Sequence, residues 1–218
     1  LELVPALQEG GADLIELGVP FSDPVADGPT IQRATYAALQ AGVTPASCLE
    51  MAAQLRNRGV TVPLVLMGYY NPILRYGPER YVADCHRLGV DGLIVPDLPL
   101  EEAGPLRAAC EAQGLGMILL VAPTSNETRV AQLAAATSGF LYVVSRLGIT
   151  GAGQVPGTEL AKRMGMIHRH ARTPIAVGFG ISSPEQVRTI VPYAEGVIVG
   201  SAIVERASQG ASALRAFV

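Results

Sequence analysis

Charge is scarce in this chain: only 16% of its 218 residues are Asp, Glu, Lys or Arg, while 49% are hydrophobic. So little charge points to much buried surface, as in a sheet covered on both faces. A basic cluster is also lacking, and the net charge is −3. Nucleic acid is therefore not an expected partner, because phosphate-backbone binding leaves a Lys and Arg footprint. Long apolar runs are missing too. The longest, around Leu115–Pro123, falls far short of the roughly 18–20 residues that a spanning helix needs. No stretch has the charged start, apolar centre and small-residue exit of a signal peptide. Cysteine is limited to Cys48, Cys85 and Cys110, an odd and widely spaced set in helical patterns. They read as reduced core or half-buried residues of a cytoplasmic protein, not as a disulfide frame. His86, His168 and His170 do not join them at metal-ligand spacing, so no metal site is expected. The basic stretch His168–Arg172 reads as a solvated helix end.

What is present is a repetition. Seven short runs rich in Val, Ile and Leu recur, bounded by Gly, Pro or Asp. They are Asp13–Val19, Pro63–Gly68, Asp91–Pro96, Gly116–Ala122, Phe140–Ser145, Pro174–Gly178 and Gly196–Gly200. Runs of this kind predict strands buried on both faces. Amphipathic stretches lie between them, with Gly42, Gly59, Gly89 and Gly114 where helices should end. Ser182 and Glu185 read as a capping box, with Pro184 in the first helical turn. The pattern is β-α repeated seven times after a helical segment at Glu2–Gln8, with no linker, so residues 1–218 are expected to form one domain.

A strict βα alternation gives a parallel sheet, closed or open. No G-x-G-x-x-G follows an early strand, as an open dinucleotide-binding sheet would show. The glycine-rich turns instead follow the last two strands, GFGISS and VGSA, where barrels hold phosphate. The expected fold is an α/β, (β/α)8 TIM barrel with its first strand missing from this chain. Lacking that strand, a barrel would carry two unpaired edges.

Glu16 stands inside an apolar strand, and alternation sets Leu14, Glu16 and Gly18 on one face. A carboxylate buried there must be paired or have a shifted pKa. It suits general acid–base work, or is a structural Glu bonded to backbone or a basic side chain; position alone leaves both open. The next segment, Pro20–Pro29, holds three prolines and two aspartates, and proline stiffens it. Asp27 is near enough in sequence to fold back over the strand end, although Asp-Gly is more often a turn signal, and Asp23–Pro24 likewise. Ser145–Gly153 is either a closing loop or an ordinary connection. Gly180, Gly200 and Ser201 offer backbone N–H groups at turns that open into helices, a phosphate signal. Tyr142 is a core tyrosine or a pocket wall.

ELGVPFSDPVADGPTIQ (Glu16–Gln32) resembles the signature of the tryptophan synthase α-subunit family. The resemblance continues through MGYYNPI (Met67–Ile73), VPDLP (Val95–Pro99), APT (Ala122–Thr124), SRLGITG (Ser145–Gly151), GFGIS (Gly178–Ser182) and VGSA (Val199–Ala202). It implies a lyase that cleaves indole-3-glycerol phosphate to indole and glyceraldehyde 3-phosphate. It further implies that Glu16 is the acid–base group and that Asp27 stabilises positive charge at the indole nitrogen. Tyr142, Thr150 and Phe179 would line the substrate pocket, Thr150 from a closing loop where it contacts Asp27. Gly151, Gly180, Gly200 and Ser201 would bind phosphate. Asp23, Pro24, Asn71, Asp97 and Pro99 would face a β subunit in an α2β2 heterotetramer. No cofactor is implied in this subunit, since pyridoxal phosphate belongs to the β subunit.

Three other readings are open at this point. One is a free-standing lyase on the same scaffold, which a β subunit would not stimulate. Another is a phosphosugar isomerase or epimerase, which would share the phosphate turns but not the Glu16/Asp27 pair. The last is a non-catalytic barrel fragment that binds a phosphate ligand or activates a partner.

Overall fold

The structure, a computed structural model, describes residues 1–144, 157–178 and 180–218. They fall into two compact units, residues 1–117 with 203–218, and residues 118–202. The first unit runs α1 (Leu3–Gly10), β1 (Ile15–Gly18), α2 (Pro29–Gln40), α3 (Pro45–Asn57), β2 (Leu64–Met67), α4 (Tyr70–Tyr76), α5 (Pro78–Arg87), β3 (Gly92–Ile94) and α6 (Gly104–Ala112). Strand β4 (Gly116–Val121) begins in it and continues into the second unit. There follow α7 (Glu127–Ala136), β5 (Leu141–Val144), α8 (Gly157–His170), β6 (Ile175–Gly178), α9 (Pro184–Ile190) and β7 (Gly196–Ile198). Helix α10 (Ser201–Ala207) leads back to the first unit, where α11 (Ala211–Phe217) packs on α1 with a Glu9–Arg215 ion pair.

All seven apolar runs of the sequence form strands, and the pairings among the described residues are parallel. In the first unit β1 pairs with β2 and β2 with β3, so that Glu16 lies beside Val65 and Val65 beside Gly92. In the second unit β4 pairs with β5, β5 with β6 and β6 with β7. Within each unit the order in space follows the order in the chain. A doubly wound open sheet would reverse direction at a switch point, and neither unit does. In-order parallel βα repetition is the arrangement of a (β/α) barrel, here with seven strands where the full barrel has eight.

The helix stops are where the glycines predict. Gly42, Gly59, Gly89 and Gly114 all have φ between 70° and 85°, the left-handed region that ends helices. The capping box of α9 is one residue later than the sequence suggested: the pair is Ser183 and Gln186. Pro184 occupies the first helical position, so the cap must be the residue before it. All three cysteines are buried in the helices and free. Burial pushes the Cys48 and Cys110 thiols up to about 11 and that of Cys85 higher still, which keeps them protonated and inert. No described helix is long and apolar enough to cross a membrane.

The N-terminal ends of β2 and β3 are held by one side chain. Arg56 on α3 donates from Nε to the Gly89 carbonyl at 2.8 Å and from Nη1 to the Val60 and Val62 carbonyls, both at 2.8 Å. Its Nη2 meets Asp91 Oδ2 at 2.5 Å, and the same oxygen accepts the Leu64 N–H at 2.7 Å. A planar guanidinium can serve these diverging acceptors at once; an ammonium cannot. Gly89 is required for two reasons. Its φ is +82°, and a Cβ there would lie 2.8 Å from the Arg56 side chain. We expect Arg56→Ala to cost about 2 kcal/mol in urea unfolding, and Arg56→Lys to lose most of the same amount. A lysine variant as stable as the parent would reduce the clamp to its charge alone.

Candidate active site

The segment after β1 is built around Tyr69, which the sequence reading passed over. Strand β2 ends at Met67, and Gly68 donates its N–H to the Ile94 carbonyl at 3.1 Å. Tyr69 follows in extended conformation as the N-cap of α4, and its ring is 5% exposed. The ring lies against Phe21, with centroids 5.4 Å apart. Its hydroxyl accepts the Ala26 N–H at 2.9 Å and donates to Asp27 Oδ2 at 3.0 Å. The proline-rich loop is further closed on itself by Asp27 N–H to the Pro24 carbonyl at 3.1 Å, and Gln32 Nε2 donates to the Asp27 carbonyl at 2.8 Å. Asp27 is thus held from both its backbone and its carboxylate. The sequence signal was a tyrosine pair directly after a strand, where an apolar ring can be buried with its hydroxyl bonded.

Two carboxylates come together in this unit. Glu16 has its pKa raised to about 7, chiefly by burial and then by the charge of Asp27. The two acids are therefore within electrostatic reach of each other. Glu16 is only partly covered by accessible surface, yet the protein around it is dense enough to disfavour its charged form. Asp27 is also raised by burial, and the Tyr69 hydrogen bond opposes that rise. Burial pushes Tyr69 itself up to about 12, so at neutral pH it remains a donor. One acid near 7 beside another restrained by a donor is the pattern of a divided acid–base site.

In the second unit Tyr142 on β5 is 5% exposed and leans over Gly178 at the end of β6. A Cβ on Gly178 would lie 2.6 Å from the Tyr142 hydroxyl and 2.9 Å from Cζ. The missing side chain is what gives the tyrosine its place. Gly180 has φ +77° in the turn after β6, and Ser201 begins α10 directly after Gly200. Thr150, Gly151 and Phe179 lie outside the described residues, as does the loop at 145–153.

The partner-facing residues of the sequence reading divide. Asp23 belongs to the turn chemistry of its loop: it accepts from the Ser22 hydroxyl at 2.6 Å, and its carbonyl takes the Val25 N–H. Pro24 closes the turn to Asp27, while Asn71 and Pro99 are exposed. Asp97 is exposed but bonded, its Oδ1 accepting the Tyr70 N–H at 2.9 Å. Phe21, Pro45, Asn71, Pro72, Arg75 and Tyr76 line a shallow apolar depression beside this loop. Among the described residues no cluster of His, Cys, Asp and Glu could hold a metal ion. The basic end of α8 is instead bonded: Arg169 and His170 meet Glu127, and His168 Nε2 lies 2.9 Å from the Tyr193 carbonyl oxygen.

The family profile described as "Tryptophan synthase alpha chain" matches residues 1–216. A tryptophan synthase alpha chain of Chloroflexus aggregans is 54% identical over 206 residues, which is 94% of this chain and 77% of that one. Among solved structures, a tryptophan synthase of Mycobacterium tuberculosis superposes with a TM-score of 0.89 at 42% identity, covering 99% of this chain and 82% of that one. A tryptophan synthase complex from Pyrococcus furiosus gives 0.87 at 36% identity, covering 99% and 87%. These likenesses run along nearly the whole chain at high identity, and with them the chain belongs to the tryptophan synthase alpha chain family.

Proposed function

We propose that this chain cleaves indole-3-glycerol phosphate to indole and glyceraldehyde 3-phosphate, as the α subunit of a cytoplasmic tryptophan synthase. The observation that carries this reading is the Glu16–Asp27 pair, one acid poised near 7 and the other held by Tyr69. Glu16 in its acid form gives a proton to indole C3, which leaves positive charge on the ring nitrogen. Asp27 as carboxylate stabilises that charge. The Glu16 carboxylate then takes the proton of the glycerol hydroxyl on the carbon attached to the ring. The carbon–carbon bond breaks, its electron pair returns to the ring, and the aldehyde forms. Glu16 ends protonated, as it began. A pKa near the working pH makes both half-steps accessible to one group.

Tyr142, Thr150 and Phe179 are the proposed pocket residues, and Thr150 and Gly151 belong to the proposed closing loop. Gly151, Gly180, Gly200 and Ser201 are the proposed phosphate contacts, made by backbone N–H groups that need no cation. Residues 1–218 act as one barrel domain. The reaction needs no cofactor in this subunit; pyridoxal phosphate belongs to the β subunit, which receives the indole. Asp23, Pro24, Asn71, Asp97 and Pro99 are the proposed partner face, beside the apolar depression lined by Phe21 and Pro72.

Glu16→Gln and Asp27→Asn should each lower indole release by on the order of 10²–10⁴-fold while phosphate-ligand binding stays within severalfold. Near-normal turnover of either variant would remove its residue from the mechanism. Glu16 also generates a stability prediction. Its pKa rises from an ordinary 4.5 to about 7 on folding. Its contribution to stability is thus complete below 4.5 and lost as pH rises through 7, a cost of at most about 3 kcal/mol. Glu16→Gln should therefore melt several degrees above the parent at pH 8 and together with it at pH 4. Equal melting at both values would mean that Glu16 is not buried in its charged form. Gly178→Ala should raise KM or lower kcat by on the order of tenfold, because the added methyl displaces Tyr142. Unchanged kinetics would show the Tyr142 position to be of no consequence for turnover.

A further inference from the structure

Helix α4 has no capping side chain of its own: its N-cap is Tyr69, and that side chain makes no cap bond. The free amide at its first turn, Tyr70 N–H, is instead taken at 2.9 Å by Asp97 Oδ1 from the loop after β3. A carboxylate there also meets the positive end of the helix. Tyr70 is the immediate neighbour of Tyr69, whose hydroxyl grips both Ala26 N–H and Asp27 Oδ2. On the other side of Tyr69, Gly68 N–H is tied to the Ile94 carbonyl at the end of β3. The short turn that carries the Tyr69 ring is therefore fixed at both ends by the β3 segment. One of these fixings is an ordinary backbone bond; the other is the exposed carboxylate of Asp97.

We propose that Asp97 is a positioning residue for Asp27, acting through the Tyr70 amide and the Tyr69 hydroxyl. This rests on the catalytic reading of Asp27 given above. Releasing the Tyr70 amide frees the turn to rotate, and the Tyr69 hydroxyl moves with it. Asp27 then loses the donor that orients it and restrains its pKa. The whole path lies within one unit of the chain and passes through two hydrogen bonds, Tyr70 N–H to Asp97 and Tyr69 hydroxyl to Asp27.

The charge of Asp97 is not the essential property on this account; its oxygen is. An asparagine keeps an acceptor oxygen in the same place, whereas an alanine does not. In the α subunit complexed with its β subunit, Asp97→Ala should lower kcat for indole release by on the order of tenfold with KM changed less than about twofold. Asp97→Asn, which keeps the acceptor, should recover most of the kcat that Asp97→Ala loses. Adding Asp97→Ala to Tyr69→Phe should cost little beyond Tyr69→Phe alone, since both cut one path. An Asp97→Ala variant with parental kcat would overturn the proposal. So would equal damage in the alanine and asparagine variants, which assigns Asp97 a charge-based role, or full additivity with Tyr69→Phe, which puts the two residues on separate paths. Asp27→Asn is measured alongside. If it keeps its activity, the catalytic reading of Asp27 fails, whatever Asp97 does; if it loses activity while Asp97→Ala does not, only the positioning role falls.

Discussion

The Tyr69 hydroxyl is shared between a backbone amide and a carboxylate of the loop after β1, and the chemistry of that loop depends on the sharing. By accepting from Ala26 and donating to Asp27 it fixes both the path of the loop and the direction of its acid. Three prolines limit how far the segment can wander, but proline stiffness alone does not aim a side chain. The ring of Tyr69, packed on Phe21, does so from below. The same bond acts on protonation: burial pushes Asp27 toward its neutral form and the hydroxyl pulls it back. Glu16 has no such donor among the causes of its shift and rises to about 7. Burial is thus the main cause that raises both acids, and it is opposed by a donor only at Asp27.

The two ends of the strands are used differently. At the N-terminal ends, polar side chains close the backbone. Arg56 and Asp91 do so for β2 and β3. Glu195 does so for β6, accepting the Ile175 N–H at 2.8 Å through Oε2 and returning its own N–H to the Ile175 carbonyl. At the C-terminal ends and in the turns beyond them stand Tyr69, Asp27, Gly178, Gly180 and Ser201, the residues to which chemistry or binding is assigned. Within each unit, backbone-closing bonds lie at strand starts and the proposed site residues at or after strand ends, the division that (β/α) barrels share.

Much of this was legible in the sequence. Seven Val- and Ile-rich runs between glycine-stopped helices named every strand, because strands buried on both faces carry an apolar signal that competes with nothing else. Glu16 was legible as an anomaly in such a run. Asp27 by itself read as a turn residue near enough to fold back over the strand end, since Asp-Gly reports local backbone chemistry, and only the family resemblance gave it a chemical role. The hydrogen bonds of Tyr69 and Asp97 were hidden for a different reason. They join segments some 27 to 42 residues apart, and no local pattern encodes which hydroxyl reaches which carboxylate. The capping box was displaced by one residue because two serines, Ser182 and Ser183, precede the proline. Only the proline's preference for the first helical position selects between them. Gly178 looked like a strand end, and its purpose appears only when the Tyr142 ring is placed over it.

A buried acid poised near neutral pH opposes folding once it ionises, so a chain that keeps one must find stability elsewhere. Here it is found away from the acid. The Arg56 clamp joins α3 to the starts of β2 and β3 without touching the segment that holds Glu16 or Asp27. Thr137, buried between β4 and β5, accepts the Leu119 N–H and donates to the Phe140 carbonyl, again away from the turns. The separation has a physical reason. A strong cation placed beside Glu16 would lower its pKa and remove the acid form that the proposed mechanism uses. The Arg56 guanidinium sits at the starts of β2 and β3, while Asp27 is bonded by the Tyr69 hydroxyl and the Gln32 side-chain amide, neither of which carries a charge.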